Sequence, residues 1–230
     1  MQHRTVADLM TRNVFRVRRE TTFKAIVRTM GDNYVSAVPV VDHLDHPVGV
    51  VSEADLLRTV AARPDPLDLP VLPHPWNGLR PKADGITAGR LMTAPALCAR
   101  PEWTVVEAAR VMDAGRVKRL PVVDESGTLV GIVTRGDLLR VFLRRDEAIH
   151  DEIADDVLTG ILRLAPADVA VDVHDGRVTL KGRVDAGSLV PVIERLCRGV
   201  DGVVSVSADI TCRFGESESA LDGRAGRPAH

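Results

Sequence analysis

Ten residues occur twice in this chain with little change. "GVVSEADLLR" runs from Gly49 to Arg58, and "GIVTRGDLLR" runs from Gly131 to Arg140. The 82-residue offset stays constant between residues 5–58 and 87–140, where 21 of 54 aligned positions are identical. This self-similarity indicates duplication of one folded unit. Because a unit of about 55 residues is marginal alone, we expect the two copies to pack together with a pseudo-twofold cleft between them.

Each repeat has the residue pattern of a β-α-β-β-α unit. In the first copy, "VFRVR" alternates as a half-buried strand does, and apolar residues at helical spacing follow until Gly31. "AVPVV" and "VGVV" predict two more strands, and Ser52 precedes a final helix. Residues 59–86 contain six prolines, so we expect a connector there rather than a continuous helix.

A different pattern begins at Asp146. Apolar residues recur every four positions along a predicted helix, and two alternating strands flank Asp175-Gly176, a hairpin signal. A helix opening at Ser188 and a last strand complete an αββαβ module over residues 146–214. The predicted fold class is therefore α+β, and residues 215–230 are expected to be a disordered tail. The stripe of the first helix consists of Ile149, Ile153, Val157 and Ile161.

Composition argues against a nucleic-acid-binding, a membrane-spanning or a secreted protein. The formal net charge is −2, which gives no general attraction to nucleic acid. No apolar run reaches the roughly 18 residues of a membrane helix, and the first residues lack a secretory signal pattern. The three cysteines share no motif spacing and indicate a reducing compartment. These features favour a cytoplasmic protein.

The Ser/Thr-x-x-Asp sequence inside the repeated phrase has two interpretations. Ser52 with Asp55, and Thr134 with Asp137, form helix N-caps in the simpler one. In the other, the two strand-to-helix turns face one cleft, where their backbone N–H groups bind an anion. Each carboxylate there accepts hydrogen bonds from the two vicinal hydroxyls of a ribose.

The repeats resemble a tandem pair of CBS domains. The resemblance depends on "LMT" near the start of each copy, on "VPVVD" and "LPVVD", and on "GVVSEADLL" and "GIVTRGDLL". It implies a cleft that binds AMP, ADP, ATP or S-adenosylmethionine as a regulatory ligand. It further implies that Asp55 and Asp137 hold ribose, and that Ser52 and Thr134 help to hold phosphate. Members without a ligand also exist.

The two motifs have different charged neighbours. Lys118 and Arg119 precede the "LPVVD" strand, and Arg135 lies inside the second motif. The first copy has Ser36, Ala37 and Glu53 at the three equivalent positions. Since phosphate binding needs cations or N–H groups, we expect the Thr134/Asp137 site to be favoured. A solvated strand edge is the alternative role for Lys118 and Arg119.

Residues 146–214 resemble a BON domain through "VDVHDGRVTLKGRV" and "RGVDGVVSVSADI". The combination resembles bacterial CBS–BON proteins, in which BON domains are thought to bind phospholipid or other partners. Because this segment has 7 basic and 13 acidic residues, repulsion from an anionic bilayer favours an unknown protein partner. The predicted face for a basic partner consists of Asp151, Glu152, Asp155 and Asp156.

No sequence motif indicates catalysis or a metal site. The chain lacks G-x-x-x-x-G-K-[ST], G-x-G-x-x-G, G-x-S-x-G and Cys-x-x-Cys patterns, and "DHLDH" is typical of a hairpin loop. We therefore expect a non-enzymatic, energy-sensing regulator without a required cofactor, assembled as a homodimer through CBS helices. The alternatives are a ligand-free dimerisation scaffold and a membrane-surface regulator. The helix stripes expected at the dimer interface are Phe23, Ile26, Val27, Met30, Val105, Val106, Ala109 and Met112.

Overall fold

The computed structural model describes residues 4–61 and 86–214. It divides into two compact units, residues 4–140 and residues 141–214. Most of the predicted connector and the whole predicted tail lie outside the described residues. The described start of the connector, residues 59–61, continues the last helix of the first repeat.

Both repeats have the predicted order of elements. In the first repeat the elements are α1 (Val6–Leu9), β1 (Val17–Arg18), α2 (Phe23–Asp32), β2 (Ala37–Val41), β3 (Pro47–Ser52) and α3 (Glu53–Ala61). In the second they are α4 (Ala88–Leu91), α5 (Val105–Ala114), β4 (Arg119–Val123), β5 (Leu129–Thr134) and α6 (Arg135–Leu139). A 3-10 turn, Arg140–Leu143, follows α6.

The sheet of each repeat is built around an antiparallel pair. β2 pairs with β3 and β4 with β5, in equivalent registers with a shift at the same place in each. β1 adds to β2 in parallel, and an isolated parallel bridge between Ala99 and Val122 is its counterpart. The predicted strand "VFRVR" forms ladder bonds only at Val17–Arg18, and α2 passes through Gly31 to Asp32 rather than ending there.

The opening segments of the two repeats are exchanged. Val6 and Met10 belong to the core of the second repeat, and Ala88 belongs to the core of the first. The backbone repeats this exchange, because Thr11 bridges Ile132 on β5 and Thr93 bridges Val50 on β3. Each repeat therefore completes the hydrophobic core of the other, which explains how units of marginal size form one body.

The second unit is a three-stranded sheet with helices on one face. Its elements are α7 (Asp146–Asp151), a π-helical segment (Glu152–Ile161), β6 (Val169–His174), β7 (Arg177–Ala186), α8 (Leu189–Arg198) and β8 (Ser205–Phe214). The strand order is β6-β7-β8, antiparallel then parallel. Asp175 and Gly176 both have positive φ, as a type I′ hairpin turn requires. The αββαβ prediction agrees with this order.

Three side-chain predictions need correction. Ile161 is 50% exposed and Leu158 takes the buried place, because the π-helical segment has a wider turn than the α-helix assumed from sequence. Glu152 is paired with Arg144, so it does not belong to a free acidic face. Several residues of the predicted dimer stripes pack in the cores of the repeats instead, since Ile26, Met30 and Met112 are buried there.

Candidate functional site

The Ser/Thr-x-x-Asp motifs form helix caps at equivalent places. Asp55 Oδ2 accepts hydrogen bonds from the Ser52 backbone N–H at 2.8 Å and from its hydroxyl at 2.6 Å. Asp137 Oδ2 accepts the same two bonds from Thr134, at 2.9 and 2.7 Å. Thr134 Oγ1 also accepts the Asp137 backbone N–H at 3.3 Å. The full capping box therefore forms at Thr134 and Asp137, whereas the bonds between Ser52 and Asp55 are those in which the carboxylate accepts.

The second carboxylate oxygen distinguishes the two motifs. Asp55 Oδ1 lies 2.7 Å from Arg58 Nη1 and accepts a hydrogen bond from it. Asp137 Oδ1 lies 3.4 Å from Arg140 Nη1, close enough for an ion pair only. Both aspartate side chains are about 90% buried, whereas both arginine side chains are about two-thirds exposed. The outer oxygen of Asp137 is thus held more loosely than that of Asp55.

Arg119 connects the two repeats. It pairs with Thr134 across β4 and β5, and its Nη2 donates to Ser36 Oγ at 3.1 Å in the first repeat. The Ser36 carbonyl in turn accepts the Glu53 backbone N–H at 3.1 Å. Burial lowers the pKa of the Arg119 guanidinium, and the Glu53 carboxylate opposes that shift. Arg119 nevertheless stays cationic at neutral pH, because a guanidinium is too basic to lose its proton there.

Lys118 and Arg135 are the residues of the second repeat that correspond to Ser36 and Glu53 of the first. The Lys118 carbonyl accepts the Arg135 backbone N–H at 3.1 Å, as Ser36 does for Glu53. Arg135 Nε donates to the Val117 carbonyl at 3.0 Å, which directs the guanidinium toward the start of β4. The structure therefore gathers Lys118, Arg119 and Arg135 at the end of β5, where Thr134 and Asp137 begin α6.

This arrangement places hydroxyl-binding and anion-binding groups together at the start of α6. A buried carboxylate with one loosely held oxygen accepts hydroxyls, and the cations stabilise an anion. In residues 4–61 and 86–214, no group of three or more His, Cys, Asp or Glu side chains is arranged to hold a metal ion. The His46 ring instead lies beside Asp42, with Nδ1 3.4 Å from Oδ2.

Sequence reasoning missed two parts of the site. Arg58 and Arg140 contact the motif aspartates, and their identical position three residues after each aspartate was an available signal. The Ser36 hydroxyl accepts a hydrogen bond from Arg119 of the other repeat, and no spacing in the sequence indicates that contact. A shallow depression of about 420 Å³ lies elsewhere on the first repeat and contains none of the motif residues.

Comparison with known proteins agrees with this architecture. The CBS domain family matches residues 6–62 and 88–144, and the BON domain family matches residues 145–213. The chain belongs to the CBS family. It carries a tandem CBS pair followed by a BON domain, as the resemblance implied. CBS pairs are regulatory modules rather than catalytic ones, and no helix among the described residues has the length and apolarity needed to cross a bilayer.

Two relatives of the CBS repeats, and a crystal structure of one of them, illustrate the similarity. The uncharacterized protein MJ1426 of Methanocaldococcus jannaschii is 31% identical over 158 residues, covering 60% of this chain and 90% of that protein. The chloroplastic CBS domain-containing protein CBSX2 of Arabidopsis thaliana is 34% identical over 152 residues, covering 61% of this chain and 64% of CBSX2. A crystal structure of CBSX2 in complex with AMP aligns with a TM-score of 0.48 at 32% identity, over 60% of this chain and 96% of that one.

Proposed function

We propose that this CBS–BON protein is a cytoplasmic regulator that binds an adenosyl ligand between its CBS repeats. The ligand is AMP, ADP, ATP or S-adenosylmethionine, and its binding changes the interactions of the BON domain. The observation that carries the proposal is the pair of buried motif aspartates, each with one oxygen fixed in a cap and the other directed to an exposed arginine. The AMP complex of CBSX2, a 34% identical relative, supports the choice of ligand.

The site at Thr134 and Asp137 is the favoured one. Releasing Asp137 Oδ1 from Arg140 breaks a 3.4 Å ion pair, whereas releasing Asp55 Oδ1 from Arg58 breaks a 2.7 Å hydrogen bond. A ribose hydroxyl therefore displaces the arginine more easily at Asp137. Arg135 and Lys118 supply positive charge for a phosphate beside this motif, and Glu53 stands in place of Arg135 at the first one. Arg119, which reaches Ser36 of the first repeat, lies between the two motifs and adds positive charge there.

A thermal shift series tests the proposal. The full chain is heated with AMP, ATP or S-adenosylmethionine, with 2′-deoxy-AMP and GMP as matched controls. A ligand at 100 times its Kd stabilises by about 2.7 kcal/mol. We expect stabilisation by at least one adenosyl ligand and a reduced effect of 2′-deoxy-AMP, which lacks one of the two hydroxyls. No shift with any adenosyl ligand at millimolar concentration would exclude the proposed function.

A ligand-free dimerisation scaffold is the second candidate. It is favoured by exposed apolar side chains on the helices of the repeats, which a partner copy would cover. They include Val27 (45% exposed), Leu57 (67%), Val60 (48%) and Val106 (55%). We propose a homodimer in either case. Light scattering should give twice the 24.9 kDa chain mass, and Leu57→Asp should lower the measured mass. A monomer mass at micromolar concentration would exclude the dimer.

The BON domain is proposed to bind a protein partner rather than a membrane. Its 13 acidic and 7 basic residues give it a negative charge that an anionic bilayer repels. A membrane-surface regulator remains the third candidate. Flotation with phosphatidylglycerol vesicles separates the two, because a protein-binding domain stays in the soluble fraction, whereas salt-sensitive flotation would establish membrane binding.

A further inference from the structure

The last strand of the BON domain has one edge without a backbone partner. β8 pairs with β7 and stands at the end of the strand order β6-β7-β8. Within residues 4–61 and 86–214, no other backbone segment forms hydrogen bonds with β8. An unpaired strand edge offers a row of N–H and C=O groups to another extended chain. The outer edge of β8 is therefore a place where a further strand can join the sheet.

The alternation of backbone groups shows which residues of β8 face this open edge. The Val204 N–H, directly before β8, donates to the Gly176 carbonyl, directly before β7, at 2.8 Å. Successive residues of a strand direct their N–H and C=O groups to opposite sides, so the even-numbered residues of β8 bond to β7. The odd-numbered residues, which include Ser207 and Asp209, present theirs to the open edge.

β8 lacks the features that protect strand edges from pairing. Protected edge strands are short or bulged, or they carry proline or lysine. β8 has ten residues, keeps a constant register with β7, and contains neither proline nor lysine. The other edge strand, β6, has only six residues. The long edge at β8 is consequently the one suited to association.

The helices of the domain leave the inner face of β8 partly uncovered. Val206, Ala208 and Ile210 pack against the core cluster but are only half-buried. The corresponding residues of the central strand, Val178 and Leu180, are fully buried. A strand added beyond β8 would bring a second apolar row beside the first. Burial of that apolar surface would favour the pairing.

From these features we infer that β8 pairs with β8 of a second copy of this chain, antiparallel and with Ala208 at the twofold axis. In this register Val206 lies opposite Ile210 of the other copy, and Ser207 lies opposite Asp209 of the other copy. The first pair packs two β-branched side chains, and in the second a hydroxyl donates to a carboxylate. An axis at Asp209 would instead place two carboxylates directly opposite each other, which is unfavourable.

The strand is complementary to itself, and this identifies the occupant as a second copy. Each favourable pair occurs twice, because the contact is isologous. Each odd-numbered pair exchanges two N–H···O bonds, so identical groups of the two copies satisfy one another. The contact leaves the outer sheet face and α8 uncovered for the partner protein proposed above. It depends neither on adenosyl-ligand binding nor on the helix interface proposed for the CBS repeats.

Disulfide cross-linking of the full chain tests the inference. Cys98→Ser and Cys212→Ser remove the two cysteines that are not buried, and Ala208→Cys introduces one at the proposed axis. Directly opposite residues have Cβ atoms about 4.5–5.5 Å apart, so mild oxidation with copper phenanthroline should give a covalent dimer. Val171→Cys in the same background is the matched control, because it is a half-buried position of the other edge strand. It should give about tenfold less dimer.

Three substitutions at Ser207, made in the Ala208→Cys chain, test the geometry of the pairing. Ser207→Pro removes an N–H from the open edge and none from the ladder with β7, so cross-linking should fall about tenfold. Ser207→Asp places a like charge opposite Asp209 of the other copy and should lower the yield, whereas Ser207→Lys should raise it. Circular dichroism checks that each variant folds, and the charge pair decides the question where Ser207→Pro does not fold.

Four results would overturn the inference. They are no covalent dimer of Ala208→Cys, equal yields from Ala208→Cys and Val171→Cys, and a yield that Ser207→Asp and Ser207→Lys change in the same direction. The fourth is a dimer that forms only after residues 215–230 are removed, because that segment would then occupy the edge. Adenosyl-ligand thermal shifts should be equal in all of these variants. Failure of the strand pairing is thereby distinguished from failure of the proposed ligand-sensing function.

Discussion

Gly49 and Gly31 belong to the same repeat but have different surroundings. A Cβ on Gly49 would lie 2.6 Å from Met92 Sδ and 2.9 Å from the Thr93 carbonyl oxygen, whereas a Cβ on Gly31 would meet nothing within 4 Å. Gly49 is therefore where β3 receives the opening segment of the other repeat. The same contact recurs between Gly131 and Met10, which is a physical reason for glycine at this place in both copies.

We predict opposite effects of the same substitution at these two glycines. Gly49→Ala should lower the free energy of unfolding by about 1–3 kcal/mol, because the added methyl group overpacks the exchanged segment. Gly31→Ala should raise it by about 0.5–1 kcal/mol, because α2 gains a better helix former in open space. Urea denaturation measures both. A neutral Gly49→Ala would contradict the close approach of the exchanged segment.

Asp146 should make the BON domain sensitive to acid. Its carboxylate accepts the Gly176 backbone N–H at 2.9 Å and that of Asp175 at 2.7 Å, and these bonds lower its pKa. Because the pKa of Asp146 is lower in the folded state, its ionised carboxylate stabilises the fold at pH values above the unfolded pKa of about 3.9. This stabilisation is lost as the pH falls through the folded-state pKa. Chemical denaturation below about pH 4 should therefore show a steeper loss of stability in the wild type than in Asp146→Asn. Equal slopes would show that the carboxylate does not support the turn.

Sequence reasoning named the motif residues and Arg119 but did not predict the contact between Arg119 and Ser36. Ser52, Asp55, Thr134 and Asp137 follow from local capping patterns, since their bonds span three residues. The Arg119 contact with Ser36 spans 83 residues. It depends on how the repeats pack, and no local pattern encodes it.

At the scale of elements, exchange of the opening segments was the feature that the sequence did not indicate. The order of strands and helices in each repeat was predicted, because local periodicity decides it. Val6 and Met10 fit a core of their own repeat equally well in sequence. Only the packed structure assigns them to the second repeat, beside Leu120 and Val133.

Two Arg–Glu pairs of the BON domain should differ in their contribution to stability. Arg144 and Glu152 are 19% and 15% exposed, and Arg144 also donates to the Asp201 carbonyl at 3.0 Å. Arg198 and Glu194 form an i,i+4 pair in which the arginine is 54% exposed. Arg144→Ala should therefore cost about 1–3 kcal/mol, and Arg198→Ala less than about 1 kcal/mol. Thermal unfolding measures both, and equal costs would contradict the burial of the Arg144 pair.

At the scale of the whole molecule, the turn that precedes the BON domain packs with that domain. The sequence predicts the start of the domain at Asp146 and the BON family match begins at residue 145, while the second compact unit also includes the buried Val141 and Arg144, which pairs with Glu152. The helical pattern that follows Thr134 conceals this boundary, because a 3-10 turn continues directly from α6. Periodicity alone does not separate two domains that are joined through such a turn.

We predict that a fragment of residues 141–214 folds cooperatively and is more stable than one of residues 146–214. The shorter fragment lacks Arg144, so Glu152 loses its ion pair and the Asp201 carbonyl loses a donor. Denaturant unfolding of the two fragments measures the difference. Equal stability would show that residues 141–145 do not contribute to the fold of the BON domain.

Ligand binding by the motif aspartates is the central claim, and calorimetry on three proteins tests it most directly. Wild type, Asp55→Asn and Asp137→Asn are titrated with the adenosyl ligand that gives the largest thermal shift. Removing a charged hydrogen bond costs about 1.5–3 kcal/mol, so Asp137→Asn should raise Kd about 10- to 100-fold and Asp55→Asn should change it less. Unfolding curves correct for the lost caps, which contribute about 1 kcal/mol each. Equal affinities of all three proteins, or an equal loss in both variants, would contradict the account.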